Sequence, residues 1–141
     1  MAQADDLRAE LAAYDGRSTT ILSEIALQHS GRVGFLSDLI TLAYDQAPTV
    51  SEGATWMLKA ALEDGSTLPQ QDVEQLVSHL SAVKAWQAQL HICQCMQYLD
   101  VTSDCALRIE DWLIDLLDMP RPFLRAWSVD AYCRLLGGSS P

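Results

Sequence analysis

Apolar residues recur at spacings of three and four along the whole chain, and no stretch alternates with the period of two that a half-buried strand requires. The pattern predicts an all-α protein. Boundary signals divide it into about eight helices. The first runs over 4–14 on Leu7, Leu11 and Tyr14 and stops before Gly16, and the second starts after Ser18 or Thr19 and ends at His29. The third covers 32–47 and closes at Pro48, where Thr49-Val-Ser-Glu52 has the spacing of a capping box for a fourth helix reaching Glu63. Asp64-Gly65-Ser66 breaks the pattern before a fifth helix that ends near Ala82. A sixth follows over 84–99. Thr102, Ser103 and Asp104 offer caps for a seventh over 105–118, and Pro120 and Pro122 mark the corner into a last helix ending at Gly137-Gly138. Connections this short force antiparallel neighbours.

The helices repeat one register. Leu39, Leu76 and Leu113 stand at steps of 37 residues, as do Ile40, Val77 and Ile114, and Ala43, Leu80 and Leu117. The helices that follow align through Val50, Trp86 and Leu124, through Ala54, Leu90 and Ser128, through Met57, Cys93 and Ala131, and through Leu62, Tyr98 and Leu136. Their steps of 36 and 38 are what a one-residue difference in loop length produces. A shared period near 37 with two amphipathic helices per unit points to stacked helix pairs, each burying its apolar face against its neighbours.

The last unit reads Trp112-Leu-Ile-Asp-Leu-Leu-Asp118-Met-Pro-Arg-Pro122-Phe-Leu124-Arg125-Ala-Trp-Ser128-Val-Asp-Ala131-Tyr132-Cys-Arg-Leu-Leu136-Gly137. It resembles a HEAT repeat: an apolar first helix, Asp and Pro at the turn, an aliphatic-Arg pair, a small residue three later, then apolar residues. The resemblance is best over 105–137, weaker over 32–99, and only topological in the first 30 residues. It implies a right-handed α-solenoid of about four antiparallel helix pairs, a HEAT-like superhelix forming a single domain over 1–141. The units would be about 4–30, 32–63, 68–99 and 104–137. It also implies that Asp118 and Arg125 form a packing ladder and that the second helices of the pairs line a concave face where partners sit.

Composition narrows the function. A chain that is 49% hydrophobic and 20% charged has material for one core and is far from the disordered regime. The net charge of −10 repels phosphate backbones and anionic lipid, so nucleic acid is not the expected partner, and no apolar run approaches the roughly 20 residues needed to span a bilayer. Residues 1–118 carry 6 Lys or Arg against 18 Asp or Glu, whereas 119–141 carry Arg121, Arg125 and Arg134 against Asp130 alone. The last helix is a small positive end on an acidic body. Met1–Glu10 has neither the basic start nor the apolar core of a signal peptide, so a cytoplasmic location is expected, with reduced cysteines at 93, 95, 105 and 133.

No catalytic constellation emerges, and the expectation is a non-enzyme with no metal and no cofactor. In His91-Ile-Cys93-Gln-Cys95, His91 and Cys95 lie about 40° apart on a helix while Cys93 lies about 200° away on the buried stripe, so a tetrahedral site does not close. Asp111, Asp115 and Asp118 form the solvated side of a helix, not converging general acids and bases. Trp86 shares the register of Val50 and Leu124 and is expected in the core, whereas Trp112 and Trp127 sit nearer the edges of their apolar faces. Gln87, His91, Gln94 and Tyr98 fall within about 60° of one another, an uncharged polar stripe suited to hydrogen-bonding a peptide.

The expected function is therefore a protein-interaction or scaffold module that binds another protein or peptide, with Gln87, His91, Gln94, Tyr98, Arg121, Arg125 and Trp127 as candidate contacts. Two alternatives stand beside it. One HEAT-like family acts on alkylated DNA through a basic concave surface bearing Trp, Asp and Arg; Trp127, Asp130 and Arg125 are present here without the basic face. The other is a self-assembling subunit, a homo-oligomer through the C-terminal helix, whose Phe123, Leu124, Trp127, Val129, Tyr132 and Leu136 make a broad apolar surface.

Overall fold

The computed structural model describes residues 2–138, and among them the chain is all-helical with no strand. Eight α-helices follow in order: α1 (Ala2–Ala12), α2 (Thr19–His29), α3 (Phe35–Ala43), α4 (Pro48–Glu63), α5 (Gln70–Ser78), α6 (Trp86–Cys95), α7 (Ser103–Leu117) and α8 (Pro122–Gly138). Single 3-10 turns extend α5 at Leu80–Ala82 and α6 at Met96–Tyr98.

Local chemistry sets these boundaries, sometimes differently from the sequence expectation. Thr102 caps α7 as expected, its hydroxyl accepting from the Cys105 N–H at 3.3 Å. Thr49 and Glu52 do not form a capping box. Pro48 occupies the first turn, where its missing N–H costs nothing, so α4 begins two residues early and Thr49 turns its hydroxyl to the Ala12 carbonyl at 3.5 Å. Ser18 likewise makes no side-chain cap; Asp15 Oδ1 accepts from the N–H groups of Arg17 and Ser18 instead. At the other end of α4, the Gly65 N–H bonds the Leu62 carbonyl and the Ser66 N–H bonds that of Ala61. This paired closure needs a left-handed residue, and Gly65 supplies it with φ of 106°.

Packing follows the order of the chain. Helix α3 packs on α4 and α5, and α5 on α3 and α7; α4 packs on α6 and on both α1 and α2, and α6 on α4 and α8. Odd and even helices thus form two layers over residues 35–138. Gly53 lets the first pair close on α4: a Cβ there would sit 2.6 Å from Leu11 Cδ2 and 3.1 Å from Leu22 Cδ2.

The repeated register is a core register. Leu39, Leu76 and Leu113 are all fully buried, and so are Met57, Cys93 and Ala131. Each such leucine contributes about 1.5–3 kcal/mol through burial. Exceptions lie within the stack, where Trp86 and Leu90 are only half-buried, and at its end: Ile40 and Val77 are buried, but no described element packs beyond α7, and Ile114 is 45% exposed. Thr55 is buried beneath α6, whereas Val129, its register mate at the far end, is exposed.

Candidate functional site

The uncharged stripe on α6 is committed to packing at His91. The His91 ring nitrogen Nδ1 lies 2.9 Å from Thr55 Oγ1, across the α4–α6 contact. The Thr55 hydroxyl is itself within donating distance of the Ser51 and Glu52 carbonyls, at 2.9 and 3.0 Å. With its hydrogen spent there, it accepts a proton-bearing Nδ1. Burial, helped by the charge of Lys59, pushes His91 down to about 4, so the ring is neutral at ordinary pH. Gln87 and Gln94 are half-buried beside it. Tyr98 was expected on the same α-helical stripe, but the chain tightens to a 3-10 turn at Met96, which at three residues per turn swings Tyr98 about 60° away.

The basic corner is also committed to structure. Arg121 stacks over the Trp86 ring, 4.0 Å from its centroid, tying the α7–α8 corner to the start of α6. Trp86 is consequently half-buried, not sealed in the core. Arg125 donates to the Met119 carbonyl at 2.7 Å and makes no ion pair with Asp118, so the ladder expected of that pair is not formed. Ser51, its register mate two units earlier, likewise bonds a carbonyl near the end of the preceding helix, that of Ala43. Trp127 is half-buried against the core, Trp112 is buried, and the apolar surface expected on α8 narrows because Leu124 is buried and Tyr132 half-buried. The side chain of Leu136 lies outside the described residues.

The cysteines are small core groups with one exception. Burial raises the Cys93 thiol to about 12, with its Sγ 4.0 Å from Ser128 Oγ, and raises Cys95 further still. Cys105 is buried and Cys133 exposed. Among the described residues no group of three or more His, Cys, Asp or Glu side chains is placed to hold a metal ion, and no helix is long and apolar enough to cross a membrane.

A different region offers a true concavity. A cleft of about 820 Å³ opens between α2, the start of α3, the C-terminal half of α4 and the start of α5. Leu27, Phe35, Leu36, Trp56 and Met57 give it apolar walls, and Arg32, Asp64 and Asp72 bring charge. Asp72 is 4% exposed, and both its oxygens share the single hydroxyl hydrogen of Ser37, at 3.0 and 3.2 Å. Arg32 is clamped by Asp38 through Nη1, while its Nε and Nη2 are shut off from solvent and meet no acceptor. In the sequence none of these residues stood as a candidate contact; Met57 entered only as a register position and Asp64 only as a helix boundary. Their one signal is the separation of Ser37 and Asp72 by 35 residues, close to the repeat step.

Comparison with protein-family models, with curated proteins and with solved structures finds no match to this chain.

Proposed function

We propose that the chain is a non-catalytic interaction module, a HEAT-like α-solenoid that holds a partner protein or peptide. The observation that carries this reading is the layer order, α3-α5-α7 against α4-α6-α8, running in the same sequence as the 37-residue register. Such a stack grows in one direction and presents extended surfaces on its layers instead of an enclosed reaction chamber. The side chains that sequence alone offered as chemistry are occupied in packing: His91 with Thr55, Arg121 with Trp86, Arg125 with Met119. The α6 surface at Gln87 and Gln94 remains the candidate contact on the even layer.

The test is affinity capture from native lysate, followed by calorimetry of the purified pair. One protein binding saturably to the wild-type chain, and at least about tenfold more weakly to Gln87→Ala/Gln94→Ala, is the expected result. Absence of any saturable protein partner, or turnover of a substrate by the purified chain, refutes the module.

One observation favours a second reading, a subunit that associates with its own copies. Leu107 and Ile114 on α7 and Phe123 and Val129 on α8 are exposed at the end of the stack where no described helix covers them. Sedimentation velocity over a hundredfold concentration range decides it; a constant monomer coefficient removes this reading.

A further inference from the structure

We propose that the cleft between α2, α3, α4 and α5 receives an arginine or lysine side chain of a partner protein's peptide segment, with Asp72 as the charge partner and Trp56 as the aromatic wall. The inference rests on the interaction-module reading and adds to it a site and a chemistry. The cleft is large enough for several side chains, in the volume range of ordinary ligand sites. Its floor holds a carboxylate that is nine-tenths buried yet underserved. One hydroxyl hydrogen cannot satisfy two carboxylate oxygens that together offer about four acceptor positions. Ser37 and the positive first turn of α5, in which Asp72 stands, hold the carboxylate in place, and a guanidinium or ammonium donor arriving in the cleft supplies the bonds that one hydroxyl leaves unmade.

The remaining charges point the same way. Arg32 is the one cation in the lining, and Asp38 already neutralises it. Asp64 adds a second carboxylate at the C-terminal end of α4, where the helix dipole is itself negative. The half-buried Trp56 is an aromatic residue in the lining, and the apolar walls suit residues flanking a cation. A net charge of −10 steers basic segments toward the molecule as a whole.

The experiment titrates the full-length, ¹⁵N-labelled chain with acetyl-Leu-Arg-Leu-Arg-amide, following backbone and indole cross-peaks. Controls replace both arginines of the peptide by citrulline or by glutamate. The expected result is saturable shifts gathered on Ser37, Trp56, Ser66, Thr67 and Asp72, with affinity lowered about tenfold or more by citrulline, by glutamate or by Asp72→Asn. Asn keeps the shape and still accepts from Ser37. Ala61→Trp, which fills the cleft without touching the carboxylate, is expected to abolish the shifts and serves if Asp72→Asn fails to fold. Shifts scattered over the acidic surface, equal binding of the citrulline or glutamate peptide, or undiminished binding by a folded variant overturns the proposal. A captured protein partner that ignores Ala61→Trp overturns the cleft and leaves the module standing; a peptide that fills the cleft of a chain lacking any protein partner does the reverse.

Discussion

The junction between the second and third helix pairs contains two polar seams, one in each layer, and they behave differently. In the even layer, Thr55 of α4, fully buried, meets the half-buried His91 of α6, and burial keeps the imidazole neutral. In the odd layer, Ser37 of α3 meets Asp72 of α5, and that contact forms the floor of an open cleft. The repeat register relates the two seams, but the volume around them does not. Small residues at Ala26, Ala60 and Ala61 line the cleft that Asp72 also lines, whereas among the described residues no such cleft is lined by His91, whose ring is half-buried against Thr55. The same helix stacking thus yields a seam that stabilises and a seam that is available.

Packing substitutions test this contrast with the largest effect. Ile92 is fully buried beside the closed seam, so Ile92→Ala removes three methyl or methylene groups and leaves a cavity, costing about 2–5 kcal/mol. Ala61→Trp puts far more volume into the open seam and is expected to change stability by no more than about 1 kcal/mol, because the space already exists. Urea unfolding of the two variants measures both numbers. If Ala61→Trp destabilises as much as Ile92→Ala, the cleft is closed in solution and the distinction between the seams disappears.

Acid gives the next largest effect and separates the seams by protonation. The folded-state value of His91, about 4, lies below its unfolded value of about 6.5. The unfolded chain therefore takes up the proton first. Stability from the neutral ring is fully present above pH ~6.5 and is lost as pH falls toward 4, a total of roughly 3 kcal/mol. His91→Gln loses some packing but no longer titrates. Urea midpoints between pH 7 and 4 are expected to fall more steeply for the wild type than for the variant. Parallel curves would mean that the imidazole is solvated and the even-layer seam is not closed.

The all-helical class and part of the core were legible in the sequence: Leu39, Leu76 and Leu113, identified by their spacing, are buried to the same degree. What the spacing did not carry was the end of the stack, where Ile114 keeps the register and loses the cover. The candidate site was much less legible. Helical periodicity places Gln87, His91 and Gln94 on one side of α6 without saying that Thr55 occupies the ground opposite His91. The separation of that pair, 36 residues, is nevertheless the repeat step, so pairing residues one step apart retrieves it. The cleft is invisible to such reasoning. A cavity is the absence of side-chain volume among four segments, and Arg32, Trp56 and Asp72 come together only through the stacking of α2, α3, α4 and α5.

A third contact between units, at their outer corner, carries the smallest expected effect and tests whether the basic end of the chain is structural. Arg121 is exposed, yet its guanidinium lies over the Trp86 ring, linking the corner before α8 to the first turn of α6. An exposed cation–π contact contributes about 0.5–1 kcal/mol, so Arg121→Ala is expected to lower stability by that amount and to alter the fluorescence of Trp86 in the folded state. Arg121→Lys keeps the charge but not the flat stacking surface, and falls between the two. A Trp86→Leu background makes the assignment sharp, because without the ring Arg121→Ala then costs nothing further. If Arg121→Ala instead leaves stability and fluorescence unchanged in the wild-type background, the corner arginine is free of the seam. The positive end of the molecule would then be a surface for contact with acidic partners, opposite in charge preference to the cleft at Asp72.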